Sequence, residues 1–224
     1  MDFMLGSRRR SRASLCTTVA EYAGLWGWTV VPGARVVRGG ACSCGAPDCA
    51  APGAHPLPGG TGIVPGTPLE RIRSVWEEAE DASVLLRVGV SFDVIDVGER
   101  AGARALARLE RMGTRLGPVL ATPTGRALFF VAPGAAGELP ELLYRMGWDD
   151  ADLDLRCLGP GDHVTAPPSD LGAYGPVRWL RRPAPSPSGG HGTVPPPEAR
   201  LVLGTLAYAC HRERRSAASR LVPS

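Results

Sequence analysis

The run Ser83-Val-Leu-Leu-Arg-Val-Gly-Val-Ser-Phe-Asp-Val-Ile-Asp-Val-Gly-Glu99 decides the fold of this chain of 224 residues. Residues 83–88 and 91–97 are β-rich, and Gly89-Val90 separates them, which predicts two strands. Residues 99–112 are predicted as a long helix that ends at Gly113, because glycine commonly terminates helices. A pair of strands followed at once by a helix indicates a fold that mixes both kinds of element.

The same alternation continues outward from this run. A helix is predicted to begin with Thr67 as its N-cap and to run to about residue 79. A hairpin is predicted from 118–122 and 127–131, around Thr124-Gly125. Further helices are predicted at 13–26, 138–146 and 198–214, and further strands at 28–31, 153–156, 163–166 and 176–180. Helices interspersed with hairpins predict an α+β fold, with a mixed or antiparallel sheet flanked by helices.

The amino-acid composition divides the rest of the chain into segments. We expect a disordered basic arm at 1–12, one domain over 13–181, a Pro/Gly-rich linker at 182–197 and a disordered tail at 215–224. No apolar run approaches the roughly 20 residues that span a bilayer, and no signal peptide is recognisable. These features predict a cytoplasmic protein without membrane association. The net charge of +3 is too small to establish nucleic-acid binding.

Three cysteines and a histidine form the densest group of potential metal ligands. Cys42, Cys44, Cys49 and His55 have the spacing C-x-C-x4-C-x5-H, and three thiolates with one imidazole suit a tetrahedral zinc ion. We therefore expect a small zinc knuckle at 42–56, with a structural role. The alternative is free thiols in a flexible loop, and an open coordination position would remain if only three of the four residues bind.

The other three cysteines do not suggest a disulfide framework. Cys16, Cys157 and Cys210 have apolar neighbours in the sequence and are expected to be small core residues in a reduced compartment.

Acidic residues at the end of the second strand could hold Mg²⁺ or Mn²⁺. Asp93 and Asp96 are three apart and should face opposite sides of a strand. Gly98 shares a face with Asp96 but has no carboxylate, and Glu99 could contribute only where the strand breaks. The alternative is that these are ordinary acids at a strand end.

Three weaker signals lie further along. Asp152 and Asp154 are a same-face acidic pair beside Arg156, which also fits a surface strand. Thr124 and Arg126 flank a glycine turn that could hold a phosphate, although a plain hairpin turn explains the same residues. His163 precedes a strand, where a structural histidine is the simpler interpretation.

Taken in order, these segments resemble the bifunctional DNA primase/polymerase N-terminal domain, a branch of the archaeo-eukaryotic primase superfamily. The resemblance runs from the helix that leads into Gly27-Trp28 as far as Trp179. It is carried by Pro52-Gly-Ala-His-Pro56 after the cysteines, Trp76, Asp96-Val-Gly98, Pro123-Thr-Gly-Arg-Ala127, and Asp154 through Ala166-Pro-Pro-Ser169.

The resemblance implies a primase-polymerase fold, DNA and nucleoside triphosphates as partners, and template-directed nucleotidyl transfer with two divalent metals. It assigns Asp96 and Asp154 as metal acids, with Asp93 or Glu99 as possible additions and Thr124 and Arg126 near the phosphates.

The chain departs from the family pattern at three positions. Gly98 replaces the second acid, Ala127 stands about where a phosphate-gripping histidine belongs, and Ala54 replaces a lysine. We therefore expect a primase/polymerase-like protein of DNA replication with weak or lost catalysis. The alternative is a non-catalytic protein that binds nucleic acid, nucleotide or a partner protein on the same fold. A third hypothesis is a zinc-stapled regulatory protein unrelated to polynucleotides.

Overall fold

A computed structural model describes residues 13–37, 39–79, 81–185 and 194–218 of the chain. By their contacts, these residues form two compact units. The first comprises residues up to 87 together with 163–177 and 184–194, and the second comprises 88–162, 178–183 and the residues from 195 onward. The single domain predicted over 13–181 stays a prediction.

The first unit is a three-stranded antiparallel sheet with two helices. Helix α1 (13–20) continues as a π-helical turn, Glu21–Leu25, and α2 is Leu69–Glu78. The strands are β1 (Val30–Gly33), β2 (Ser83–Arg87) and β7 (His163–Thr165), in the order β1-β2-β7. The central strand β2 carries the fully buried Val84, Leu85 and Leu86, as expected for a strand covered on both faces.

Two side chains tie distant segments of the first unit to each other. The hydroxyl of Tyr22 donates to the carbonyl of Pro167 at 2.7 Å, and the hydroxyl oxygen of Ser169 accepts from the backbone N–H of Val84 at 2.7 Å. The Pro-Pro-Ser segment after β7 is therefore held against both the π-helical turn and the central strand.

The second unit is a five-stranded sheet in the order β6-β3-β5-β4-β8, with every recorded pairing antiparallel. Its strands are β3 (Asp93–Gly98), β4 (Val119–Thr122), β5 (Arg126–Val131), β6 (Leu155–Leu158) and β8 (Arg178–Arg181), and its helices are α3 (Glu99–Arg111), α4 (Ala135–Arg145) and α5 (Arg200–Ala218). The predicted α+β fold with helices flanking antiparallel sheets is thereby confirmed.

The core of the second unit lies between one face of the sheet and its helices. Ile95 and Val97 of β3 pack there, with side chains from α3 and α5 such as Ala105 and Leu206. Residues on the other face of β3, including Asp96, alternate with these. Asp96 is therefore on the sheet face opposite the helical core.

Several boundaries differ from the sequence predictions. Strand β1 begins at Val30 rather than 28, α4 begins at Ala135 rather than 138, and α5 extends to Ala218, into the segment predicted as a disordered tail. The predicted basic arm at 1–12, the middle of the predicted linker (186–193) and residues 219–224 lie outside the described residues.

Among the residues that the structure describes, no helix is both long and apolar enough to cross a lipid bilayer.

Candidate functional site

Asp96 is the centre of the acidic site in the second unit. Its side chain is only 2 % exposed, so its charge depends on partners in the protein rather than on water. One carboxylate oxygen, Oδ1, accepts from Arg126 Nε at 2.8 Å, and the other, Oδ2, accepts from Arg156 Nε at 2.7 Å. Both oxygens of this buried carboxylate are therefore bonded to guanidinium groups.

Strand register brings these three side chains together. Asp96 of β3 lies directly opposite Arg156 of β6, and Gly98 of β3 lies opposite Arg126 of β5. Opposed residues of antiparallel strands share a face, as do residues two apart on one strand. The arginines consequently flank Asp96 from both neighbouring strands.

Asp154 joins the same group just before β6 begins. Arg126 Nη1 donates to Asp154 Oδ1 at 2.7 Å and to Oδ2 at 2.8 Å. The Asp154 side chain is 56 % exposed, whereas that of Arg126 is 26 % exposed. Burial disfavours the charged guanidinium, but the hydrogen bonds and charges of Asp96 and Asp154 outweigh it, and the pKa of Arg126 lies above its ordinary value.

The two other acids considered as metal ligands have different partners. Asp93 is fully buried on the opposite face of β3, where its Oδ2 accepts from the backbone N–H groups of Gly134 at 3.0 Å and Ala136 at 2.9 Å. It thus caps the N-terminus of α4. Glu99 is the first residue of α3 and forms an ion pair with Arg178. Of the four predicted acids, Asp96 and Asp154 share the Arg126 guanidinium, whereas Glu99 lines a cavity beside Asp154.

Gly98 and Ala127, two positions at which the chain departs from the family pattern, have different surroundings. A Cβ added at Gly98 would lie only 2.8 Å from Asp154 Oδ2, so any side chain at 98 would force the Asp154 carboxylate to move. Ala127, in contrast, is fully buried on the face that packs against α3, where its Cβ would lie 2.4 Å from a Cβ added at Gly102. A histidine at 127 would therefore face the helix rather than Asp96, and its absence does not by itself argue against catalysis.

The hairpin turn after β4 is built by hydroxyl groups. The Oγ1 atoms of Thr122 and Thr124 lie 2.8 Å apart, and Thr122 Oγ1 accepts from the backbone N–H of Arg126 at 3.2 Å. These contacts fix the base of the Arg126 side chain. The structure places Thr124 and Arg126 in one turn, with the Arg126 guanidinium directed to carboxylates; their predicted contact with phosphates stays a prediction.

This arrangement does not fit the divalent metals that the family implies. A Mg²⁺ ion needs oxygen ligands at about 2.0–2.1 Å in octahedral geometry. All four oxygens of Asp96 and Asp154 already accept from arginine, and two guanidinium charges balance the two carboxylates. A dication would have to displace these donors before it could bind.

A cavity of about 640 Å³ lies beside Asp154. Apolar side chains from α3 and α5, including Ala101 and Cys210, form part of its lining. Its ionisable lining side chains are three carboxylates and two guanidiniums, namely Glu99, Asp154 and Glu213 with Arg100 and Arg214. This balance gives the cavity no excess positive charge for a triphosphate.

The predicted cysteine cluster assembles in the first unit. One potential ligand atom from each of Cys42, Cys44, Cys49 and His55 lies within 4.8 Å of the others, so the group could bind a metal such as zinc. Backbone bonds shape the loop: Ala34 N–H donates to the carbonyl of His55 at 2.8 Å. The prediction that these four residues converge is confirmed.

The chemistry of the cluster also suits a soft metal. His55 Nδ1 lies 3.0 Å from the carbonyl of Pro56, and its Nε2 lies 3.2 Å from Cys42 Sγ. A proton on Nδ1 that bonds this carbonyl leaves Nε2 as the ligand atom, the usual orientation of a metal-binding histidine. The contact with Cys42 raises the pKa of His55, against the opposing effect of burial.

The thiols of the cluster differ from one another. Burial alone would raise the pKa of Cys42, but hydrogen bonds from the backbone of Cys44 and Gly53 and from the side chains of His55 and Cys44 lower it to about 6. A backbone bond with Ala51 favours the Cys49 thiolate, yet burial and the neighbouring Cys42 and Cys44 raise its pKa. One thiolate that forms readily, with others beside it, provides the donors that zinc requires.

Sequence reasoning missed the role of Arg156. We considered it only as a surface partner of Asp152 and Asp154, but its guanidinium binds Asp96, while Asp152 pairs with Arg214 of α5. Strand alternation could have predicted part of this arrangement, because it places Arg156 and Asp154, two residues apart, on the same face of the sheet. Its partner on β3 depends on register, which the sequence alone does not specify.

Comparison with known proteins gives one match. The sequence model of the family described as bifunctional DNA primase/polymerase, N-terminal, matches residues 19–189. Searches of curated proteins and of solved structures found no match. The family match covers most of the chain, including β1 to β8, the cysteine cluster and the Asp96–Arg126–Asp154 group. The chain therefore belongs to the bifunctional DNA primase/polymerase N-terminal family.

Proposed function

We propose that this protein is a primase/polymerase-like protein that engages nucleic acid or nucleotides and has weak or lost nucleotidyl transfer. Membership of the family supports the interaction with nucleic acid or nucleotides. The loss of transfer is our inference from the acidic site. DNA replication as the process, and the cytoplasm as the compartment, are part of the same proposal.

The observation that carries the proposal is the small number of carboxylates at the site. Two-metal phosphoryl transfer needs acids that hold both ions between the attacking and leaving oxygens. Here Asp93 caps α4, Glu99 pairs with Arg178, and Gly98 supplies no side chain. Asp96 and Asp154 alone, both paired with arginine, are a poor set of ligands for two dications.

We also propose that the cysteine cluster binds one structural zinc ion. Three sulfur atoms and one imidazole nitrogen form a closed tetrahedral set, which leaves no position for a reacting water. Zinc would stabilise the long segment between β1 and α2, whose described residues, 34–37 and 39–68, form no helix and only isolated β-bridges.

The deciding experiment is primer extension and de novo priming on single-stranded DNA, with Mg²⁺ or Mn²⁺ and with deoxy- or ribonucleotides. The wild type is compared with Asp96→Ala and with Asp149→Ala, a control that removes an exposed acid of the same unit. We expect little or no DNA synthesis by wild type. Any remaining synthesis should be unchanged in Asp96→Ala. Synthesis that Asp96→Ala abolishes, while Asp149→Ala does not, would show an active nucleotidyltransferase.

Binding to labelled single-stranded DNA, followed by fluorescence anisotropy, tests the other half of the proposal. We expect measurable binding that weakens as salt rises, because contacts with phosphates release counterions. Absence of both synthesis and binding would favour the zinc-stapled regulatory protein unrelated to polynucleotides.

A further inference from the structure

The Arg126 guanidinium lies between two carboxylates that the family would use for metal. It bonds Asp96 through Nε and Asp154 through Nη1, at 2.7 to 2.8 Å. We propose that Arg126 is a built-in cation that replaces the divalent metal at this site and excludes it. This inference deepens the proposed function, because it names the residue that keeps the acidic pair from binding metal.

Charge supports the replacement. Asp96 and Asp154 carry two negative charges, and Arg126 and Arg156 carry two positive charges, so the group as a whole is neutral. A dication gains little from a neutral group, and it would leave displaced guanidiniums close to its own charge. Arginine also remains protonated at any physiological pH, so this countercharge is permanent.

The local geometry links the missing acid to the added arginine. Gly98 and Arg126 are directly opposed on β3 and β5, so they share one patch of the sheet face. Any side chain at 98 would force the Asp154 carboxylate out of its present place, since a Cβ there would lie only 2.8 Å from Asp154 Oδ2. Glycine at 98 supplies no third carboxylate, and two acids are then satisfied by two arginines. The missing acid at 98 and the arginine at 126 therefore both disfavour a metal ion at this site.

Asp96 has no ready alternative to these partners. Its side chain is 2 % exposed, and a buried carboxylate that loses its countercharge is strongly destabilised. Metal could replace Arg126 only by supplying equivalent charge at the same place. Removing the guanidinium while keeping both acids should therefore create a vacant position for a dication.

The test is a titration of zinc-loaded protein with Mn²⁺, followed by the electron paramagnetic resonance signal of free Mn²⁺. Four proteins are compared: wild type, Arg126→Lys, Arg126→Met and the double variant Asp96→Asn/Arg126→Met. We expect Arg126→Met to bind about one Mn²⁺ at least roughly tenfold more tightly than wild type. Arg126→Lys, which keeps the charge, and the double variant, which loses an acid, should resemble wild type.

Two results of the titration would overturn the inference. One is tight Mn²⁺ binding by wild type that is lost in the double variant Asp96→Asn/Arg126→Met. The other is a folded Arg126→Met protein, as judged by circular dichroism, that gains no site. Mn²⁺ binding by wild type without DNA synthesis would contradict this inference and leave the proposed function standing, so the two fail separately.

A second measurement on wild type decides the matter if Arg126→Met does not fold. The ¹⁵N–¹H signal of Arg126 Nε, assigned by its disappearance in Arg126→Lys, reports directly on the bond to Asp96. We expect millimolar Mg²⁺ to leave this signal unchanged. A saturable shift or loss of the signal on addition of Mg²⁺ would mean that metal displaces the guanidinium, and the inference would be wrong.

Discussion

Arg126 donates from Nε to Asp96 Oδ1 at 2.8 Å, across a separation of 30 residues in the sequence. This bond joins β5 to β3, and Arg156 closes the other side of Asp96. A buried carboxylate is thus neutralised from within the sheet. The consequence for stability can be measured without knowledge of any ligand.

Asp96→Ala should lower the free energy of unfolding by about 1–3 kcal/mol, because it removes two charge-assisted hydrogen bonds from a buried group. The loss stays below that of a fully buried pair, since the side chains of Arg126 and Arg156 are 26 % and 69 % exposed and keep part of their hydration. Urea unfolding followed by circular dichroism measures it. Asp154→Ala is the control and should cost less than about 1 kcal/mol, because the Asp154 side chain is mostly exposed. Equal losses for the two variants would contradict this account of Asp96.

Removal of a cluster ligand should abolish zinc binding and loosen the first unit. We expect His55→Ala and Cys49→Ser to lower the zinc content from about one per chain to near zero, as determined by elemental analysis. The thermal midpoint should fall by roughly 5 °C or more, since metal binding contributes directly to folding. Cys157→Ser removes a thiol outside the cluster and should leave the zinc content unchanged. Full zinc occupancy in either ligand variant would show that the residue does not bind metal.

Gly102→Ala should destabilise the second unit by about 1–3 kcal/mol, because its new Cβ would lie 2.4 Å from Ala127 Cβ and the helix would have to move away from the sheet. Gly137→Ala in α4 is a matched control, as a Cβ there meets nothing within 4 Å. That change should be neutral or stabilising by up to about 1 kcal/mol, owing to the better helix propensity of alanine. The urea midpoints of the two variants are compared with that of wild type, which tests how closely α3 packs on β5. Equal shifts of the midpoint in Gly102→Ala and Gly137→Ala would contradict the close packing.

Alkaline pH should destabilise the protein partly through the thiols of Cys157, which is partly buried, and Cys210, which is buried. Burial raises the pKa of Cys157 from 9.0 to about 12 and that of Cys210 to about 11. The folded state therefore retains protons that the unfolded state loses above pH 9. This contribution to stability is complete below about pH 9 and is lost as the pH rises toward the folded values.

The measurement is the free energy of unfolding of wild type and Cys157→Ser between pH 8 and about 10.5. We expect wild type to lose up to about 1 kcal/mol more per pH unit than the variant above pH 9. Identical pH dependence in the two proteins would mean that the Cys157 thiol ionises normally in the folded state.

Local patterns in the sequence were sufficient for the elements and for the cysteine cluster. The alternation of β-rich runs with helices predicted an α+β fold with a mixed or antiparallel sheet. The ligands Cys42 to His55 lie within one loop, so chain connectivity alone keeps them close. Alternation along one strand also placed Asp93 and Asp96 on opposite faces. Boundaries were less accurate where a distant group sets them: α4 begins early because the Asp93 carboxylate of β3 caps it.

The sequence alone could not predict which side chains make up the acidic site. Nothing local indicates that Asp93 caps a helix, that Glu99 pairs with Arg178, or that Ala127 faces α3. Each of these facts depends on which residues of separate strands stand opposite each other, and a shift of one residue would reverse the face of every side chain.

The sequence by itself therefore determined which acids and ligands the protein has and which secondary structure carries them. Only the tertiary structure decided that Asp96 and Asp154 both bond the Arg126 guanidinium. The physical reason is the register of β3 against β5 and β6, which brings together residues 30 and 60 positions apart. Because Asp96 is buried at that point, its charge must be balanced from within the protein, and Arg126 and Arg156 provide this balance.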